Sequence, residues 1–220
     1  MDNERCHEAR NGRQGASVHG IILAAGRSVR MGSDKALLDW EGRTFVQHAA
    51  GLLAQVGTVS VVTRGDLAVR LTSILPGIAV LVNPDPAPGL FSSVLIGLAA
   101  VPAGVSRVFI HPVDCPLDSA HALERLLEAA EGRLSNTILP VDEVFVPVFD
   151  GTRGHPVLLT PGAIRALRQR PPSAVFSEEL ENLAPVEVRV DCDDILRNIN
   201  TLSELVRLTG RSGGEGGRQS

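Results

Sequence analysis

The sequence predicts an α/β fold: a single Rossmann-like domain with a mostly parallel central sheet and helices on both faces. Three observations predict it. Strand-like apolar runs alternate with helical patterns in the order β-α-β-α-β, which implies parallel strands joined by right-handed crossovers. The run Gly20-Ile21-Ile22-Leu23-Ala24-Ala25 is apolar without alternation, as a strand buried on both faces requires. That run ends in a glycine-containing polar turn, a place where backbone N–H groups converge on an anion. A chain of 220 residues has room for one such domain. It buries roughly 70% of its unfolded-state surface without help from disulfides.

The elements follow in order. Met1 to Ser17 is polar and aperiodic and reads as a flexible arm. After the first strand and its loop, residues 37–43 form a short extended piece that turns at Gly42. Thr44 caps a helix to about Gln55, with Phe45, Val46, Ala49, Leu52 and Leu53 on one face. A strand over 58–63, a helix over 66–75 and a strand over 78–82 come next. The loop Asn83-Pro84-Asp85-Pro86-Ala87-Pro88-Gly89 is held rigid by three prolines, and a helix is expected from Ser93 to Ala100 with serine as its cap. A strand over 106–111 runs into Asp114, and a helix over 120–131 follows. Segments 138–140 and 143–149 are strand-like, and Gly154 to Leu159 leads into another strand. Helices are expected over 160–170, 173–182 and 203–208, with a half-exposed strand over 185–190. The folded unit thus spans 18–209, and 210–220 is a Gly/Ser-rich tail that reads as disordered.

Composition narrows the function. The net charge of −4 gives no general basic field for nucleic acid. Cys6, Cys115 and Cys192 form no C-x-x-C pair and leave an odd count, which favours a reducing cytosol. No apolar run approaches the roughly 18 residues of a membrane span, and the first residues lack a signal-peptide core. A cytoplasmic protein without membrane partner is expected. Positive charge is instead local: Arg27, Arg30 and Lys35 fall within nine residues of the first loop, which suits a triphosphate. Spacing excludes the P-loop, since five residues separate Gly26 from Gly32 and Lys35 does not follow a glycine. Gly-x-Gly-x-x-Gly is absent from this turn as well.

Leu23-Ala24-Ala25-Gly26-Arg27-Ser28-Val29-Arg30-Met31-Gly32-Ser33-Asp34-Lys35 resembles the signature Leu-Ala-Ala-Gly-x-Ser-x-Arg-Met-Gly-x-x-Lys of the molybdenum-cofactor nucleotidyltransferases, the cytidylyltransferases above all. The resemblance covers residues 19 to about 208 and implies the glycosyltransferase-A-like fold. It implies transfer of a nucleoside monophosphate, CMP from CTP first, onto a phosphorylated acceptor, molybdopterin first, with release of pyrophosphate and with Mg²⁺ as cofactor. Leu23, Ala24, Ala25, Gly26, Arg27, Lys35, Asn83, Gly89, Ser92 and Ser93 would face the nucleotide. Lys35, Arg30 and Asp114 would carry the chemistry. Asp114, in a segment resembling Asp-x-Pro, would hold the metal, since hard carboxylate oxygen suits Mg²⁺. Gly154 and His155 would face the acceptor.

Several positions keep a second reading. Asp114 could cap the helix after it, and Ser92 and Ser93 could merely start theirs. Gly154 and Pro156 could make a plain tight turn, and Ala25 could simply pack at a strand end. The family's last aspartates are replaced by Asn198 and Asn200, which offer neutral carbonyl ligands, and Asp191 or Asp193 could supply the second metal ligand instead. Cys115 has no visible activating base, and His111 reads as a packed strand-end histidine. Two further functions stay open: the same chemistry on a sugar phosphate or another small phosphate, or a nucleotide-binding accessory protein that has lost catalysis, for which the two asparagines are the support.

Overall fold

The computed structural model describes residues 17–26, 34–134 and 143–212. The N-terminal arm, Arg27 to Ser33, the expected strand at 138–140 and the end of the tail lie outside the described residues. Among the described residues the central sheet has eight strands in the order β10-β7-β9-β6-β1-β4-β5, with β8 beside β7. These are β1 (Val18–Ala24), β4 (Thr58–Arg64), β5 (Ala79–Asn83), β6 (Arg107–Pro112), β7 (Val144–Phe149), β8 (Thr152–Arg153), β9 (Val157–Leu159) and β10 (Val186–Arg189). A separate hairpin pairs β2 (Asp39–Trp40) with β3 (Arg43–Thr44). Its two-residue turn has Glu41 at φ 54° and Gly42 at φ 78°, the double positive φ of a type I′ turn.

β1 lies at the centre, parallel to β4 on one side and β6 on the other. β4 is parallel to β5, and β10 to β7. Only β9 and the short β8 run antiparallel. The connections from β7 through β8 to β9 are too short for a crossover, so these strands return beside their predecessor. The chain builds outward from β1 to β5 and then jumps back to β6. The crevice between β1 and β6, beyond their carboxyl ends, is therefore the topological switch point.

Alternation along β1 sends its side chains into two cores. Ile22 and Ala24 join Phe109, Phe45, Leu67, Leu71, Leu123 and Leu126 on one face. Ile21 and Leu23 join Val108, Ile110, Phe91, Leu98, Ile164 and Leu167 on the other. The first core is covered by α1 (Phe45–Leu53), α2 (Gly65–Ile74) and α4 (His121–Leu134). The second is covered by α3 (Leu90–Ala99), α5 (Pro161–Arg168) and α6 (Phe176–Asn182). Burying each such aliphatic side chain contributes about 1.5–3 kcal/mol. Thr44 and Gln47 form the capping box that starts α1. Among the described residues no helix is long and apolar enough to cross a membrane.

Several helix boundaries differ from expectation: α6 starts at Phe176 rather than Ser173, α4 runs on to Leu134 rather than ending at Glu131, and two more bear on the site. α3 starts at Leu90 rather than Ser93, because Gly89 reaches φ 118° and takes the N-cap position that serine was expected to fill. α7 (Leu202–Ser212) runs three residues into the segment expected to be disordered. Its start is a capping box: Glu204 accepts from the Thr201 amide at 2.8 Å and Thr201 Oγ1 from the Glu204 amide at 3.3 Å.

His19 and His111 serve as core residues. His19 bonds the Thr58 and Ser60 hydroxyls at 2.7 and 2.9 Å. His111 is fully buried on β6, and its Nδ1 has no hydrogen-bond partner. Burial, with the nearby His155, pushes the His111 pKa down to about 3. An unfolded-state histidine takes a proton below about pH 6.5. The folded pKa is depressed, so the unfolded state binds more protons, and stability falls as pH drops from 6.5 towards 3. At pH 5 the loss for His111 is about 2 kcal/mol. Urea unfolding at pH 7.5 and 5.0 should show this decline in the wild type and a smaller one, by about 2 kcal/mol, in His111→Gln. Equal pH dependence in the two proteins would contradict it.

Close approach of α3 to the sheet depends on Gly97. A Cβ there would lie 2.5 Å from Ile21 Cγ2 and 3.2 Å from Val62 Cγ2. Gly97→Ala should therefore destabilise the fold by about 1–3 kcal/mol despite its better helix propensity. Gly51→Ala in α1, where a Cβ meets nothing within 4 Å, should stabilise it by about 0.5–1 kcal/mol. The reverse ranking in urea denaturation would show that this packing is misassigned.

Candidate functional site

Strand β1 ends against a cleft of about 650 Å³ at the switch point. Leu23, Ala24, Ala25 and Gly26 line it from β1, Lys35 from the next turn, Arg64 from β4, Gly89 and Ser93 from the start of α3, and Asp114 from beyond β6. Each comes from the carboxyl end of a strand or the helix start that follows, which is where a parallel sheet collects ligand groups. Arg27 and Arg30, expected beside the phosphates, lie outside the described residues.

Lys35 opens a one-turn 3₁₀ helix (Lys35–Leu37) whose buried Ala36 holds it to the core. Its Nζ donates to Asp114 Oδ2 at 2.8 Å and to Asn200 Oδ1 at 2.5 Å. Three positions far apart in sequence thus meet at one ammonium group. Asn200 Nδ2 donates to Asn198 Oδ1 at 2.8 Å, so both asparagines belong to the cluster. The Ile199 amide donates to the Asp114 carbonyl at 2.8 Å, which ties the 198–200 segment to the turn after β6. Glu204 accepts from the Asn200 amide at 2.7 Å, so the first turn of α7 orients Asn200; that bond foremost lowers the Glu204 pKa. Asp114 caps no helix: α4 begins seven residues later.

The proline-rich loop is braced from beneath. Asn83 Nδ2 donates to Ser92 Oγ and Ser93 Oγ, both at 2.9 Å, and Asn83 Oδ1 accepts from the Asp85 amide at 3.0 Å. Ser92 Oγ donates to the Gly89 carbonyl at 2.8 Å. Asn83 and Ser92 are buried and do not line the cleft; they shape the loop that does. Gly154 is likewise a packing position. A Cβ there would lie 2.3 Å from the Ile195 carbonyl oxygen, and the His155 amide donates to that oxygen at 3.0 Å. His155 does not line the cleft, and its Nδ1 has no hydrogen-bond partner. Its pKa is lowered by burial, with the Asp114 charge opposing.

The acidic alternatives are engaged elsewhere. Asp191 pairs with His121 at 2.6 Å, and Asp193 lies 3.7 Å from Arg197. Among the described residues no group of three or more His, Cys, Asp or Glu side chains could hold a metal. Cys115 is buried, and that burial, with the Asp114 charge, raises its thiol far above the ordinary range, so it supplies no thiolate.

Arg64 was not singled out by the sequence reading. Its guanidinium lines the cleft, donating from Nη1 to the Gly26 carbonyl at 3.0 Å and from Nε to Asp66 at 2.9 Å, and pairing through Nη2 with Asp34. Burial opposes its charge, but the Asp34 and Asp66 carboxylates outweigh it and raise the pKa. Its place as the last residue of a central parallel strand was the available signal. With Arg64 counted, the described lining holds two cations, Lys35 and Arg64, against three carboxylates, Asp34, Asp85 and Asp114.

The chain is similar in sequence and in fold to known proteins. The chain is 41% identical over 117 residues to a molybdenum cofactor guanylyltransferase of Xanthomonas euvesicatoria, a match covering 52% of this chain and 56% of that relative's length. It is 26% identical over 196 residues to the molybdenum cofactor cytidylyltransferase of Escherichia coli, covering 87% of this chain and 95% of that one. Its fold matches the crystal structure of Rv0371c from Mycobacterium tuberculosis with a TM-score of 0.73, at 22% identity, over 89% of this chain and 99% of the other. The family model for the MobA-like NTP transferase domain matches residues 20–180, and the chain belongs to that family.

Proposed function

We propose that the protein is a nucleotidyltransferase that moves a nucleoside monophosphate onto a phosphorylated acceptor, CMP from CTP onto molybdopterin first, and releases pyrophosphate. The observation that carries the reading is the meeting of Lys35, Asp114 and Asn200 beside a switch-point cleft of nucleotide size. The acceptor's phosphate oxygen attacks the α-phosphorus in line, and the bond from α-phosphorus to the bridging oxygen breaks. Such transfer needs positioning and charge neutralisation rather than covalent catalysis. No general base is required of the protein, because the acceptor phosphate is already ionised.

Lys35, with Arg27 and Arg30 from the signature, would hold the triphosphate. The Gly26 turn and the N-terminus of α3, which opens on the cleft at Gly89, would add backbone N–H groups. The donor set also suits a hard divalent ion: Asp114 Oδ2 and Asn200 Oδ1 are oxygens that already flank a cation, the Lys35 ammonium. Mg²⁺ held by Asp114 and Asn200, with Asn198 beside them, would neutralise charge on the phosphates when bound. One carboxylate is enough for Mg²⁺ when phosphate and water complete its shell.

The base is a separate question. Ala25 is buried and lines the cleft; its β-carbon takes space that a glycine would leave open, which favours a pyrimidine over the larger purine. The 41%-identical relative is a guanylyltransferase, which favours GTP as the second reading. A sugar phosphate or other small phosphate is the alternative acceptor. A purely accessory role is disfavoured, because Asn198 and Asn200 are built into the Lys35 cluster.

Formation of the CMP- and GMP-bearing products from CTP and GTP in competition, with Mg²⁺ and molybdopterin and with total pyrophosphate release as the measure of turnover, tests the reading. Wild type should prefer CTP, Ala25→Gly should shift use towards GTP by about ten- to a hundredfold, and Asp114→Ala should lose turnover. Equal use of the two nucleotides would contradict the cytidylyl assignment. Full turnover by Asp114→Ala would contradict the role of Asp114.

A further inference from the structure

We infer that Arg64 is a positioning residue that locks the two halves of the phosphate cradle together, and that it does not bind the phosphates itself. This rests on the nucleotidyl-transfer reading above. The cradle is built from two pieces of chain: the turn at the end of β1, ending at Gly26, and the turn that presents Lys35. The described contacts join them through one side chain. Arg64 Nη1 holds the Gly26 carbonyl at 3.0 Å, and Nη2 holds the carboxylate of Asp34, the residue before Lys35.

The third face of the guanidinium, Nε, donates to Asp66 at 2.9 Å in the first turn of α2. The side chain is only 15% exposed and anchored at the last residue of β4, a central strand, so the bridge has a rigid base. A planar fork donates from three separate nitrogens in fixed directions, whereas the three donors of an ammonium radiate from one nitrogen and cannot span the same three separated oxygens. The same contacts explain why Arg64 is a poor phosphate ligand. Each of its three nitrogens already has an oxygen partner, and two of those partners are carboxylates that hold its charge, which leaves only the second N–H of each terminal nitrogen.

The chemistry gives the bridge a use. The Gly26 carbonyl oxygen lines an anion site and would repel a phosphate. Arg64 turns that dipole to itself and neutralises it. Asp34 is an unexpected residue beside a triphosphate, and its pairing with Arg64 removes most of its field. The distance between the Gly26 turn and the Lys35 turn is then set before a ligand arrives, which is what preorganised electrostatics requires.

The test measures binding of CTP and GTP with Mg²⁺ by calorimetry, together with KM and kcat, for wild type, Arg64→Gln, Arg64→Lys, Asp34→Ala and the double variant. Arg64→Gln should weaken nucleotide binding about ten- to a hundredfold, the range for supports behind a ligand shell. Arg64→Lys should fail to restore it. Asp34→Ala should also weaken binding, although it removes a negative charge from an anion site, and the double variant should be no worse than Arg64→Gln alone. Tighter binding by Asp34→Ala would overturn the inference, because it would mean that a released Arg64 takes the phosphate. Wild-type binding by Arg64→Gln, or full rescue by lysine, would overturn it as well. Should Arg64→Gln fail to fold, Arg64→Lys and Asp34→Ala carry the same decision. Failure of the wild type to bind either nucleotide would instead sink the functional reading and leave the bridge a purely structural feature.

Discussion

Everything at the switch point depends on one ammonium group between two oxygens. Lys35 reaches Asp114 Oδ2 and Asn200 Oδ1, and in doing so joins the turn after β1, the turn after β6 and the entry to α7. A partly buried charge needs this kind of partnership, since an unpaired one costs several kcal/mol. The contact brings together residues 79 and 165 positions apart in sequence. In the proposed mechanism the same oxygens are those wanted by a divalent ion. Lys35 would then hold the ion's place until a triphosphate drew the ammonium to itself. Metal and nucleotide would enter together because each removes the obstacle to the other.

Around that contact the scaffold works by restricting loops. Three prolines stiffen the segment after β5, and the buried Asn83 fan of hydrogen bonds fastens it to the start of α3. Arg64 fastens Gly26 to Asp34. Glu204 fixes Asn200 through the Asn200 amide. These supports are polar and sit behind the surface that a ligand would touch. The apolar cores beneath, on both faces of β1, keep the strand ends in place.

The layered fold was legible in the sequence because its signals are local. An unbroken apolar run such as Ile21 to Ala24 declares a doubly buried strand, and the β-α-β alternation declares parallel order. The antiparallel β9 was not legible, because its direction follows from a short connection through β8 rather than from its own residues. In the site, Lys35 and Asp114 were legible from strand-end position and charge. Asn83, Ser92 and Gly154 were legible as special but not as supports, since the difference between facing a ligand and bracing a loop lies in tertiary contacts. Arg64 and Glu204 were missed. Arg64 lies outside the signature, and its meaning depends on Gly26 and Asp34 meeting it in space. Glu204 did carry a local signal, the Thr-x-x-Glu capping box at 201–204.

If Lys35 occupies the place that a divalent ion would take, Mn²⁺ binding followed by electron paramagnetic resonance will show it without turnover. Wild type should bind Mn²⁺ weakly alone and more tightly with CTP or GTP present. Lys35→Met should bind Mn²⁺ alone about tenfold or more tighter than wild type, because the charged hydrogen bonds that compete for Asp114 and Asn200 are gone. Mn²⁺ affinity in Lys35→Met equal to or below that of wild type would show that the ammonium and the metal do not share a site.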